Sequence, residues 1–164
     1  MYLPIRHNKV ANIVYQNIIE KSTNGNRHPI QDIYVDDNIE VWWDKKVTTL
    51  TPCAHNKPDI VLWKKNEKKC HVIDICVCLD VNIDKNISMK QDHYLPLTAE
   101  LKRLYSDYTY SINPIVIGAT GLMTSHVTEM FVELGVDNVH ELGLKVQKSA
   151  LIGTLKIAKS FLKM

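Results

Sequence analysis

The sequence predicts an α/β layered domain over residues 1–164, with a mixed central sheet of about four strands flanked by helices. Three observations carry this reading. Apolar residues recur at helical spacing near both ends of the chain. Three segments rich in β-branched and aromatic residues follow one another between residues 39 and 79. A fourth apolar segment comes only after a further helical stretch, so it can join the sheet in parallel through a crossover.

The first helix is read over His7 to Lys21, where Val10, Ile13, Val14 and Ile18 share one face and Ser22-Thr23-Asn24-Gly25-Asn26 supplies the stop. The stretch to Asn38 is polar and reads as irregular. Ile39 to Trp43 reads as a strand, with Trp42 and Trp43 on opposite faces and at least one of them in the core. Asp59 to Trp63 and His71 to Leu79 read as two strands of a hairpin around the charged turn 64–69. Ile83 to Tyr108 carries a helical pattern through Tyr94, Leu97, Leu101, Leu104, Tyr105 and Tyr108, but Pro96 fits best in a first turn and so argues for a start near Leu95. The short strand 115–117 follows, then helices over about 124–134 and 144–162. In the last helix Leu144, Leu151, Leu155 and Leu162 read as the apolar stripe.

Hydrophobic residues make up 45% and charged residues 23%, the proportions of a globular domain with room for a core. No apolar run reaches the roughly 20 residues of a membrane helix, and the N-terminus lacks a signal-peptide core. An intracellular chain is expected, and its cysteines at 53, 70, 76 and 78 are then expected as free thiols. A net charge of +2 neither requires nor excludes a nucleic-acid partner.

The chemistry concentrates in the hairpin. Val72 to Leu79 is almost wholly apolar, as in a strand covered on both faces, and Asp74 is the exception. A carboxylate there needs a cation or hydrogen-bond donors. Asp59 opens the preceding strand directly after Pro58, so a paired hairpin brings both carboxylates to one end of the sheet. Two such groups repel unless one is protonated or a cation lies between them. Mg²⁺, which takes hard oxygen ligands and keeps several waters, is the natural cation. Lys90 falls on one helical face with Tyr94, Leu97 and Leu101, so a helix that includes it aims it at the sheet.

Lys57-Pro58-Asp59 followed after a short hairpin by Asp74-Ile75-Cys76 resembles the PD-(D/E)XK nuclease core, in the variant of the restriction-like endonuclease of site-specific non-LTR retrotransposons. The likeness runs along the whole chain: Arg6-His7-Asn8-Lys9-Val10 at the first helix, Lys90 and Tyr94 downstream, Pro114 to Ala119 as a later strand and Ala150 to Thr154 in the closing helix. The resemblance implies a three-layer restriction-endonuclease-like fold and a Mg²⁺-dependent endodeoxyribonuclease, with Mn²⁺ as a substitute. It assigns Asp59, Asp74 and the backbone carbonyl of Ile75 to the metal, Lys90 and Tyr94 to catalysis, and Lys57 and Arg6 to nucleic acid. The implied reaction nicks DNA to leave a 3′-hydroxyl that primes reverse transcription of the element's RNA. Element RNA and a reverse transcriptase are the implied partners beside DNA, in the nucleus. Cys76 stands at the usual lysine position, which leaves that role to Lys90, and His93 stands where the pattern has a second lysine. The reverse transcriptase and zinc knuckle that precede the domain in the family are not in this sequence, as for an excised domain, a truncated copy or a free-standing descendant.

Lys145, Lys148, Lys156, Lys159 and Lys163 cluster on one side of the last helix and are candidate phosphate contacts, of which Lys145, Lys148 and Lys156 are retained as nucleic-acid-binding residues. A solvated lysine face accounts for them equally well. Cys53, His55, Cys70 and His71 fit no zinc-finger spacing. Besides the nuclease, two functions fit the residues: a non-catalytic nucleic-acid-binding module on the same fold, and a resolvase-like nuclease for branched DNA.

Overall fold

The computed structural model describes residues 2–163, with side chains from Pro4 onward. Four helices and a five-stranded mixed sheet follow the order α1 (Tyr2–Ser22), β1 (Ile33–Val35), β2 (Ile39–Trp43), β3 (Ile60–Lys64), β4 (Lys69–Cys78), α2 (Ile83–Leu104), β5 (Thr109–Gly118), α3 (Ser125–Leu134) and α4 (Val139–Leu162). The strands lie side by side in chain order. The first four are antiparallel neighbours, and β5 returns through α2 to pair with β4 in parallel from Lys69↔Thr109 to Cys78↔Gly118.

Helices cover both faces of the sheet, which makes three layers. On one face α1, α3 and α4 pack over Ile60, Leu62, Ile73, Ile75, Ile115 and Ile117. On the other, Tyr94, Leu97 and Leu101 of α2 pack over Val61, Trp63, Cys70 and Val72. β4 is therefore buried on both sides, as its apolar run requires. Trp43 packs edge-on against Tyr15 of α1, whereas Trp42 turns to Trp63 on the α2 side.

The structure corrects the sequence reading in four places. The sheet has five strands and not four, because part of the polar stretch before Asn38 is strand β1. Asp36 makes the turn: its carboxylate accepts the N–H groups of Asn38 and Ile39, each at 2.8 Å, closing a hairpin onto β2. A three-residue edge strand is too short to show a period.

Second, α2 starts at Ile83 and runs through Pro96, so Pro96 does not open the helix. The helix ends at Leu104, and Tyr105 to Tyr108 turn into β5, which is ten residues long and not three. The exposed side of α2 carries Pro96, and tertiary packing of Tyr94, Leu97 and Leu101 holds the helix together across it.

Third, α4 starts at Val139 and buries Leu142, Val146 and Ala150. The stripe of Leu144, Leu151, Leu155 and Leu162 is exposed. Fourth, Cys76 and Cys78 end a run that reads as covered on both faces but are only partly covered, whereas Cys70 is fully buried.

Candidate active site

β3 and β4 set the site. Ile60 pairs with Ile73, so one further step of register puts Asp59 opposite Asp74. Both acids lie at one end of the hairpin and line a cleft of about 500 Å³ together with Arg6, His7, Lys57 and Lys90. The walls come from α1 on one side of the sheet and α2 on the other.

Asp74 is nearly inaccessible, and two residues of α2 meet it. The Tyr94 hydroxyl donates to Asp74 Oδ1 at 2.9 Å, and Lys90 Nζ lies 2.7 Å from Oδ2. Lys90 thus pairs with the buried Oδ2 as Tyr94 does with Oδ1. Burial pushes the Asp74 carboxyl above its ordinary range, and the charge of Asp59 adds to this, against Lys90 and Tyr94. Burial lowers Lys90, but Asp74, Cys76 and Asp59 together raise it further, so it stays a cation. Burial, and then Asp74, hold the Tyr94 hydroxyl well above its ordinary value. Tyr94 is a proton donor here and not a base.

Asp59 Oδ2 accepts the Ile75 N–H at 2.7 Å and is 3.0 Å from His7 Nε2. The same nitrogen of His7 is 3.1 Å from the Ile75 carbonyl oxygen. One imidazole N–H is thus shared between a carboxylate and a main-chain carbonyl. The bond to Asp59, outweighing burial, pushes His7 up to about 9, so the ring is a cation at neutral pH. His7 lies in the segment Arg6 to Val10 at the first helix, and nothing in the local sequence marks its place at the acids. An imidazole one turn into α1 carries no local signal, because the contact spans 52 residues to Asp59.

Arg6 is buried between α1, β4 and α4, with NH1 donating to Thr154 Oγ1 at 3.0 Å and NH2 to the Val77 carbonyl at 3.3 Å. Gly153 makes room for it: a Cβ there would stand 2.4 Å from Arg6 Cγ. Lys57 is half-exposed at the cleft and 3.6 Å from Asp44. Burial pushes the Cys76 thiol up to about 11, so the position two after Asp74 offers a neutral SH and no thiolate. Glu20 faces Arg27, away from the cleft. Lys145, Lys148 and Lys156 line a separate groove between α1 and α4, which Arg6 also borders.

A cation suits the acidic end of the hairpin. Asp59 Oδ2 and the Ile75 carbonyl converge on one point, now held by the His7 N–H, and Asp74 lies across the hairpin from Asp59. Two carboxylates and a carbonyl are an all-oxygen set of the kind Mg²⁺ takes while keeping several waters. Among the described residues no cluster of three or more His, Cys, Asp and Glu side chains is arranged as a metal cage. Among the described residues no helix is long and apolar enough to cross a membrane. No protein-family model matches the chain, and no curated protein matches it in sequence.

Proposed function

We propose that the chain is a Mg²⁺-dependent endodeoxyribonuclease with a restriction-endonuclease-like fold, which nicks target DNA to leave a 3′-hydroxyl primer for reverse transcription of a non-LTR retrotransposon. The observation that carries the reading is Asp74: a carboxylate buried in an apolar strand, opposite Asp59 in the hairpin register and beside Lys90 and Tyr94. The mixed sheet between two helical layers is consistent with it, with β5 returning through α2 to pair in parallel with β4.

Asp59, Asp74 and the Ile75 carbonyl would hold the metal, with Mn²⁺ as a substitute. When bound, it polarises a phosphate oxygen and lowers the pKa of a bound water. Lys90 supplies positive charge at the buried acid, where a low-dielectric setting strengthens it. Tyr94 fixes the rotamer of Asp74 through Oδ1 while Lys90 meets Oδ2. Lys57 stands exposed at the cleft as a positive group for DNA phosphates, and Arg6, buried in the cleft wall, adds positive charge behind it. Element RNA and a reverse transcriptase are proposed partners, and the nucleus the proposed location, by resemblance.

A second reading is a nucleic-acid-binding module without catalysis. The observation that favours it is His7, whose N–H already satisfies two of the three proposed ligand oxygens. Nicking of supercoiled plasmid separates the two. The nuclease reading expects nicking with Mg²⁺ or Mn²⁺ that falls to the EDTA background in Asp59→Ala and in Asp74→Ala. A well-folded wild type that retains DNA but never nicks it points to the binding module. Cleavage retained in Asp74→Ala sinks the assignment of the site.

A further inference from the structure

The face between α1 and α4 holds a groove of about 330 Å³ that the cleft chemistry does not use. Its floor is apolar, from Ile5, Ile13 and Ile152, and its rims carry Lys9, Lys145, Lys148 and Lys156. All four lysines are exposed. Among the described residues no aspartate or glutamate lines it. Lys145 alone of the four has an acidic partner, Glu141 at 3.3 Å, in an exposed pair of the kind that contributes little. The ammonium of Lys156 stands close enough to Lys9 to hold Lys9 below the ordinary lysine range. Uncompensated like charges in one groove are a standing cost that a polyanion relieves.

Two further facts fix direction. Lys145, Lys148, Lys156, Lys159 and Lys163 fall within about 80° of one another around α4, so the charge runs as a stripe along the helix. Lys159 and Lys163 border a second shallow hollow beside Lys156 and so extend the stripe past the groove. Part-way along it, packed on Gly153 and Thr154 beside Lys156, Arg6 borders both the groove and the cleft of Asp59 and Asp74. Arg6 is nine-tenths buried, and its Nε is without a partner.

We infer that the α1–α4 groove is a track for the phosphodiester backbone of duplex DNA, seated by Lys9, Lys145, Lys148 and Lys156 and led into the catalytic cleft past Arg6. The inference rests on the nuclease reading for its endpoint, but the groove's binding is measurable without any cleavage. Each phosphate neutralised by a lysine releases counterions, so the salt dependence of affinity counts the contacts.

The test is fluorescence anisotropy of a labelled duplex over a salt series in EDTA. It compares wild type, K9Q/K145Q/K148Q/K156Q, and a control K46Q/K69Q/K102Q drawn from exposed lysines elsewhere. The track expects the groove variant to bind about tenfold or more weaker, with a log–log salt slope shallower by about 3 to 4, at ~0.9 per contact. The control should keep the wild-type slope. An unchanged slope in the groove variant overturns the track, and plasmid nicking by the wild type would still leave the nuclease reading standing. Salt-sensitive binding lost in the groove variant, with no nicking by wild type in Mg²⁺, supports the track and removes the nuclease. Retention on phosphatidylserine vesicles without duplex binding overturns the track in favour of a membrane surface.

Discussion

At the scale of single residues the cleft is a balance of two acids against two cations of the chain itself. His7 pairs with Asp59 and Lys90 with Asp74. Pairing raises His7 from 6.5 to about 9. A raised folded-state value means that the stabilisation is fully present below pH 6.5 and is lost as pH rises through 9. The ring is about one-third exposed, which screens the pair to about 1 kcal/mol. Thermal melts in EDTA from pH 6 to pH 10 should therefore fall more steeply for wild type than for His7→Gln, and parallel curves would remove His7 from the balance. His71 works in the opposite direction. It is buried against Ser111 and Asn113, and burial lowers it from 6.5. Its contribution is present above pH 6.5 and is lost as pH falls towards the depressed value, so His71→Asn should flatten the acid limb of the same profile.

At the scale of elements, α2 and α4 carry the sharpest expectations. Pro96 interrupts α2 without ending it, and its ring faces solvent. Pro96→Ala restores a backbone donor in mid-helix and should stabilise by about 1 kcal/mol or more, read as a higher Tm. In α4 two glycines behave differently. Gly153→Ala drives a methyl into the Arg6 stem at 2.4 Å, and the Arg6 guanidinium is tied to Thr154 and Val77. A loss of about 1–3 kcal/mol is expected despite the gain in helix propensity. Gly143→Ala meets only the flexible end of Met123, with Cε at 2.9 Å, and should be close to neutral. Equal effects of the two substitutions in a urea titration would show that Arg6 is not held as described.

At the scale of the whole molecule, one sheet with a core on each face sets which stripes of the helices are inside. Leu142 is 2% exposed and Leu144 is 54% exposed, though two residues apart on one helix. Leu142→Ala should cost about 2–5 kcal/mol and Leu144→Ala less than about 0.5 kcal/mol. The reverse order, measured by denaturant unfolding, would put α4 in a different rotation and would move the lysine groove with it. The exposed row of Leu144, Leu151 and Leu155 runs along α4 on the side away from the core, bordering the lysine stripe. The same sheet brings Asp59, Asp74 and Lys90 together from three elements, and the parallel pairing of β4 with β5 buries β4 deeply enough that Asp74 requires partners.

The α/β class, the hairpin of β3 and β4, and the acid pair at its end are legible in the local sequence. Each of these is written in adjacent residues: a period of two, a charged turn, and a carboxylate in an apolar run. It also placed Lys90 and Tyr94 on one face, because helical spacing is local. The edge strand β1 was hidden by its length, and the start of α2 by Pro96, where packing over Leu97 and Leu101 outweighed a local preference. The buried side of α4 was misread because four leucines form a row as regular as the true core row. Only contact with α1 and α3 separates the two. His7 at Asp59, Arg6 over Gly153 and the groove between α1 and α4 were decided by the tertiary structure alone. They join segments 52 to 148 residues apart, and no local pattern encodes which distant side chain fills the space beside a given one.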